Sequence, residues 1–171
     1  MNLKDKIRNI PDFPKQGILF RDITTLLKDA ESFTYVINEF VKRYKERALD
    51  TVAGIESRGF IIGGAIAHRL NRGFVPIRKP GKLPAEKLSI EYSLEYGTDR
   101  VEMHTDAIKK GSRVLLVDDL LATGGTMKAA CELVEKAGGD IVECAFIIHL
   151  AGLRGEKLLD KYSVFSMVTY D

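Results

Sequence analysis

Asp118 and Asp119 sit side by side at the end of an apolar run, Val114-Leu115-Leu116-Val117, and Ala122-Thr123-Gly124-Gly125-Thr126 follows shortly after. The apolar run reads as a buried strand, and the small hydroxylated segment as the turn that opens a helix. In an open parallel sheet, ligands bind beyond the carboxyl ends of the strands, which is where these acids stand. The two glycines let backbone N–H groups turn towards an anion, and a helix N-terminus adds partial positive charge. The hydroxyls of Thr123 and Thr126 can donate two further hydrogen bonds. Ala122–Thr126 is therefore a cradle for one phosphate. Beside it, Asp118 and Asp119 can accept hydrogen bonds from the diol of a phosphorylated sugar, or hold Mg²⁺ directly or through water. An acid pair alone also serves as a helix cap, but the whole run from Val114 to Thr126 fits that role poorly. Other nucleotide loops are excluded. Gly54 and Gly59 have Walker spacing, but Phe60 stands where that loop needs lysine, and no Gly-x-Gly-x-x-Gly occurs.

Three further stretches carry polar groups in useful places. Glu56-Ser57-Arg58-Gly59 follows an apolar strand and opens a helix, a second loop of anion-binding type. Arg78 and Lys79 end the next strand and Lys82 follows closely; three cations there repel one another unless an anion sits among them, although a solvated basic turn has the same look. In the N-terminal stretch, Phe20 offers a flat face on which a base can stack, and an extended Leu19–Arg21 backbone can present both C=O and N–H to a base edge. Phe20 as a core residue and Arg21–Asp22 as a surface ion pair remain equally open from the residues alone. His68, His104 and His149 lack metal-ligand spacing. Cys131 and Cys144 lie in apolar stretches and read as reduced core thiols.

The elements that must position these groups follow from periodicity. Residues 3–9 read as a short helix with Asn2 as N-cap, and Pro11–Gly17 as an extended arm or turn, since two prolines and a glycine exclude helix. From Asp29 to Ala48 the spacing of Phe33, Val36, Ile37, Phe40, Val41 and Tyr44 predicts an amphipathic helix. Strands at Thr51–Ile55, Phe74–Arg78, Arg113–Asp118 and Ile141–His149 alternate with helices at Gly59–Leu70 and Thr126–Ala137, and Val164–Thr169 adds an edge strand. Apolar strands with little alternation argue an α/β fold, a central mostly parallel sheet flanked by helices. Between the second and third strands, Leu88–Tyr92 and Arg100–His104 around Gly97 predict a mobile two-stranded flap within residues 79–110, projecting from the sheet; long excursions of this kind are usually functional. The chain has 171 residues, 45% hydrophobic and 29% charged, which predicts one globular domain. With 26 Lys+Arg against 24 Asp+Glu the net charge is +2, no general reason to expect nucleic acid as a partner. No apolar run reaches the ~18 residues of a membrane span. The opening MNLKDKIRNIPDF lacks the apolar stretch of a secretory signal, so a cytosolic location is expected.

The run VLLVDDLLATGGT resembles the phosphoribosyl pyrophosphate signature of type I phosphoribosyltransferases. Four more stretches resemble that family, and in particular its members that act on adenine: PDFPKQGILFRDIT at 11–24, ESRGF at 56–60, RKPGKLP at 78–84 and YSLEYGTDRVE at 92–102. Together they span nearly the whole chain. The resemblance implies one domain over 1–171, with residues 1–28 as a base-binding arm or hood and 79–110 as the flap. It implies Mg²⁺-dependent transfer of a phosphoribosyl group from phosphoribosyl pyrophosphate to adenine, yielding AMP and pyrophosphate, by a homodimer. It assigns Ala122–Thr126 to the 5′-phosphate and Asp118 and Asp119 to the ribose diol and metal. It assigns Ser57, Arg58, Arg78, Lys79 and Lys82 to pyrophosphate, partly from a neighbouring subunit. Leu19, Phe20, Arg21 and Leu120 fall to adenine. In the flap, Glu95 becomes the proton-transfer group and Tyr96 the side chain that folds over the ribose. The family's Glu56–Gly59 loop can also carry a non-proline cis peptide. Two rival readings are a phosphoribosyltransferase for another base, and a non-catalytic sensor of phosphoribosyl pyrophosphate or nucleotides. The sensor should carry an added nucleic-acid-binding domain or a strongly basic face.

Overall fold

Asn2 caps the chain's first turn as expected: its side chain accepts the Lys4 N–H at 3.2 Å, at the start of a 3-10 turn over Leu3–Lys6. The structure, a computed structural model, describes residues 1–94 and 97–171. By density of internal contacts it divides into two units, Met1–Arg43 and Tyr44–Asp171.

In the first unit, the helix expected over residues 3–9 stops at Lys6. Arg8–Ile10 (β1) instead pairs antiparallel with Phe20–Asp22 (β2). Pro11 disfavours helix just before it, and the Arg8 guanidinium bonds Asp22 Oδ2 across the ladder at 2.5 and 3.0 Å, so tertiary pairing wins over local propensity. The link between the strands is the expected turn. Phe13–Pro14 is cis, Asp12 and Gly17 have positive φ, and the Gly17 N–H donates to Asp12 Oδ1 at 2.7 Å. A short helix, Thr24–Lys28 (α1), was not foreseen; Asp22 Oδ1 accepts the Thr24 N–H at its start. Ala30–Tyr44 (α2) is the predicted amphipathic helix, ending about one turn before the expected Ala48, with Val36, Ile37 and Phe40 buried.

The second unit is built on Thr51–Ile55 (β3), Arg58–Arg69 (α3), Gly73–Ile77 (β4), Lys87–Ser93 (β5), Thr98–His104 (β6), Arg113–Leu121 (β7), Gly125–Lys136 (α4), Asp140–Leu150 (β8) and Val164–Tyr170 (β9). Five of these strands form an entirely parallel sheet in the order β4-β3-β7-β8-β9, with β9 at an edge as predicted. Chain order runs outward in one direction from β3 to β4 and in the other from β7 to β9. The β3/β7 boundary is thus a topological switch point, whose crevice lies beyond the strands' carboxyl ends. The near-continuous burial of β3, β7 and β8 follows from coverage on both faces. Cys131 on α4 and Cys144 on β8 are buried free thiols within that core.

The flap region contains the expected two strands, β5 and β6, paired antiparallel from Lys87↔His104 to Ser93↔Thr98. Its base does not project clear of the sheet. Val101 and Met103 are fully buried, and Leu88, Ile90 and Tyr92 pack on the same core as α4. The alternation that marked these runs as strands also gives the hairpin an apolar face, and that face is satisfied by burial.

Candidate active site

The switch-point crevice is lined by residues at the carboxyl ends of β3, β4 and β7 and at the starts of α3 and α4. A cavity of roughly 330 Å³ is bounded by Ile55 at the end of β3, Glu56 and Ser57 after it, Arg58 at the start of α3, Lys79 after β4, Asp118, Asp119 and Leu120 on β7, and Thr126 on α4. A second, of roughly 80 Å³, is enclosed by the turn Ala122–Thr126 with Asp118, Leu120, Leu121, Met127 and Phe146. Asp118, Leu120 and Thr126 border both, so the two cavities are adjoining subsites of one crevice.

The smaller subsite owes its shape to glycine. Gly124, the residue before α4, adopts φ +83°, a left-handed conformation that favours glycine. No side chain caps α4, and its first turn carries no acidic residue, so its leading N–H groups and partial positive charge face the crevice. The same holds at the start of α3, where Ser57 makes no side-chain cap and Gly59 lets the helix approach β7: a Cβ there would lie 2.9 Å from the Val117 carbonyl. The glycine turn is backed from outside the expected motif. A Cβ on Gly155 would fall 2.1 Å from the Ala122 carbonyl, and one on Gly124 would fall 2.4 Å from the Gly155 carbonyl. His149 and Glu156, 3.0 Å apart, tie this supporting loop to the end of β8. Gly155 escaped the sequence reading because only a contact some thirty residues away makes it matter.

Strand β7 runs on to Leu121, so the acids and Leu120 lie within it rather than after it. Asp119 is buried and its Oδ2 accepts from Arg58 Nε at 2.5 Å. Asp118 Oδ1 accepts the Asp119 N–H at 2.8 Å. Burial and the like charge of Asp119 push the Asp118 carboxyl well above the usual carboxylate range, and that N–H and Arg58 offset only part of the effect. A cation or sugar hydroxyls at this carboxyl would relieve the penalty.

The cations are distributed unevenly. Lys79 lines the larger cavity, where its ammonium bonds Asp99 and, at 2.7 Å, the Tyr92 hydroxyl. Arg78 and Lys82 are instead held by Glu56, whose two oxygens accept from Arg78 Nε at 2.8 Å and Lys82 Nζ at 2.7 Å. Burial would raise the Glu56 carboxyl, but Lys82, Arg78 and the Lys79 N–H outweigh it and hold it below its ordinary value. Glu56 was not singled out from the sequence; an acid beside Ser57-Arg58 gives no local hint that it will meet residues 78–82. The Glu56–Ser57 peptide is cis.

A phosphoribosyl transferase domain model matches residues 22–170. The chain belongs to the phosphoribosyltransferase family. Along its whole length it is 57% identical to the adenine phosphoribosyltransferase of Chlorobium limicola, covering 99% of that protein. The crystal structure of adenine phosphoribosyltransferase from Thermoanaerobacter pseudethanolicus superimposes with a TM-score of 0.95 at 53% identity, covering 98% of each chain. The Saccharomyces cerevisiae enzyme, complexed with D-2,5-dideoxy-2,5-imino-altritol 1,6-bisphosphate and adenine, superimposes with a TM-score of 0.92 at 39% identity, covering 97% of this chain and 96% of that one. The chain is a glycosyltransferase-type enzyme similar throughout to adenine phosphoribosyltransferases.

Of the expected site residues of this phosphoribosyltransferase, Ser57, Arg58, Lys79, Asp118, Asp119, Leu120 and Ala122–Thr126 all border the two subsites. Arg78 and Lys82 do not line either and are engaged by Glu56. Leu19, Phe20 and Arg21 belong to the first unit: Leu19 is exposed, Phe20 meets Phe13 edge-on at 5.2 Å, and Arg21 donates to Asn9 Oδ1. Glu95 and Tyr96 lie outside the described residues. Among the described residues, no group of three or more His, Cys, Asp or Glu side chains can hold a metal ion, and no helix is long and apolar enough to cross a membrane.

Proposed function

We propose that the enzyme catalyses Mg²⁺-dependent transfer of 5-phosphoribosyl from phosphoribosyl pyrophosphate to N9 of adenine, giving AMP and pyrophosphate in purine salvage. The observation that carries this reading is the pair of adjoining cavities beside Asp118 and Asp119, lined by the starts of two uncapped helices and by Arg58 and Lys79. A sugar phosphorylated at both ends has the chemistry to fill them, and the yeast relative is complexed with a bisphosphate of an imino-altritol together with adenine. Ala122–Thr126 would hold the 5′-phosphate through backbone N–H groups and the Thr123 and Thr126 hydroxyls. Asp118 and Asp119 would orient the ribose diol. Ser57, Arg58, Lys79, Arg78 and Lys82 would receive the pyrophosphate, the last two after exchanging Glu56 for it or in a neighbouring subunit's site.

In the reaction the bond from C1 to the pyrophosphate oxygen breaks, N9 of adenine bonds C1, and N9 loses its proton. Positioning and charge placement do this work without a covalent nucleophile. Two carboxylates, one charge-paired and one penalised by burial, are the hard oxygen donors that Mg²⁺ would take. Asp118 and Asp119 would hold the Mg²⁺, which would supply positive charge for the departing pyrophosphate. Glu95 is the proposed acceptor of the base proton, Tyr96 the cover over the ribose, and Leu19, Phe20, Arg21 and Leu120 the adenine contacts. The reading takes residues 1–171 as one phosphoribosyltransferase domain with an arm at 1–28 and a flap at 79–110, acting as a cytosolic homodimer.

The experiment is direct. Incubation with phosphoribosyl pyrophosphate, Mg²⁺ and labelled adenine should yield labelled AMP, and chelation of Mg²⁺ should stop it. Unlabelled adenine should compete far better than hypoxanthine, guanine or orotate. Absence of AMP would leave a pure sensor, and preferred turnover of another base would reassign the substrate.

A further inference from the structure

Tyr92 and Asp99 face each other across the hairpin and bond Lys79 and Thr126, which line the crevice, although neither was among the residues expected to act. The Tyr92 ring is seated against Gly125, where a Cβ would lie 3.3 Å from Cδ2. Its hydroxyl lies 3.0 Å from Asp99 Oδ2, 3.0 Å from Thr126 Oγ1 and 2.7 Å from Lys79 Nζ. Asp99 Oδ2 also accepts directly from Lys79 Nζ. Its other oxygen accepts the Arg100 N–H at 2.7 Å, which fixes the carboxylate in place. Burial would lower the Lys79 pKa, but the bonds to Asp99 and Tyr92 outweigh it and raise it. Asp99 moves the opposite way, its burial outweighed by Lys79, the Arg100 N–H and Tyr92. The two are therefore a charged pair at neutral pH.

Lys79 is also a lining cation of the larger subsite. We propose that Asp99 is an internal counter-ion that competes with pyrophosphate for Lys79, and so sets how tightly the enzyme holds this leaving group. The inference rests on the proposed reading, which brings pyrophosphate to Lys79. A carboxylate on the hairpin lowers the affinity of an incoming polyanion twice, by occupying the ammonium and by repelling the anion's charge. Both effects favour release of the product. The pair is about one-third exposed on each side, so its effect is modest rather than prohibitive.

The test is inhibition by inorganic pyrophosphate, measured with Mg²⁺ in the AMP-forming assay. Asp99→Asn keeps an oxygen for the Arg100 N–H and removes the charge. It should tighten pyrophosphate inhibition about three- to tenfold and lower KM for phosphoribosyl pyrophosphate in the same sense, a gain that a merely structural lesion does not produce. Inhibition by AMP, which carries no pyrophosphate, should stay within about twofold. In a Lys79→Met background, Asp99→Asn should no longer tighten pyrophosphate. Unchanged or weakened pyrophosphate inhibition in an Asp99→Asn enzyme that still makes AMP overturns the role of Asp99 alone. So does equal tightening of AMP, or tightening that survives loss of Lys79. A wild-type enzyme that makes no AMP overturns both readings.

Discussion

Gly124→Ala tests the architecture of the glycine turn most severely. Gly124 has φ +83°, and an alanine there carries the left-handed penalty of about 1–2 kcal/mol. Its Cβ would also lie 2.4 Å from the Gly155 carbonyl, whereas real Cβ contacts are essentially never under 3.0 Å. The obstacle is backbone, and Gly155 is itself wedged against the Ala122 carbonyl, so neither side can yield cheaply. Overpacking of this kind costs about 1–3 kcal/mol, which brings the combined destabilisation to roughly 2–5 kcal/mol. For a chain of this size that corresponds to a Tm loss of about 5–15 °C. Any relaxation turns the leading N–H groups of α4 away from the crevice, so KM for phosphoribosyl pyrophosphate should rise at least about tenfold. Thermal unfolding and initial-rate kinetics read the two effects. Gly64→Ala is the control: nothing lies within 4 Å of its Cβ and it sits inside α3, so replacing glycine there should stabilise by up to about 1 kcal/mol. If Gly124→Ala unfolds within about 2 °C of wild type and keeps its KM within twofold, the account of the turn is wrong.

Asp118→Asn should raise Tm at neutral pH while reducing turnover on the order of 10²–10³. A carboxyl whose pKa is raised on folding contributes stability below its unfolded pKa and loses it as pH rises through the folded value, so the stability gain should appear only above the ordinary carboxylate range; a Tm below wild type at pH 7 contradicts this. Asp22 behaves in the opposite sense. Burial would raise its pKa, but the Thr24 N–H, Arg8 and the Thr24 hydroxyl outweigh that and hold it at about 2. Its stabilisation is present above the unfolded pKa and lost as pH falls through about 2. Asp22→Asn should therefore melt a few degrees below wild type at pH 7, with the gap closing in acid; a pH-independent gap would point to shape rather than charge. Arg58→Met leaves the buried Asp119 without its Nε partner and should cost about 1–3 kcal/mol in thermal unfolding, with a larger loss in kcat/KM than in stability. Equal losses would make Arg58 a structural residue only.

Local chemistry was legible where a residue's role depends on its sequence neighbours. Thr51–Ile55 is the strand its composition predicts, residue for residue, because apolar residues without alternation leave a covered parallel strand as the simplest outcome. The acid pair and glycine turn could be placed together at one sheet edge because strand, turn and helix N-terminus are contiguous, and both border the crevice. The short helix expected over residues 3–9 failed for the converse reason. Its ladder partner, Phe20–Asp22, is distant in sequence and overrides a weak local preference. The hairpin was recognisable from its two β-prone runs, but the burial of Val101 and Met103 beneath it depends on where α4 lies.

Sequence alone therefore established the α/β class, the strand-turn-helix order around the glycine turn and the family resemblance, since each is written in spacings of a few residues. Tertiary structure decided which charges meet. It committed Arg78 and Lys82 to Glu56, Lys79 to Asp99 and Tyr92, and Arg58 to Asp119, and it set Gly155 behind the cradle. Such pairings depend on the distance between side chains carried by separate strands. That distance arises only when the sheet order places β3 beside β7 and folds the hairpin over α4.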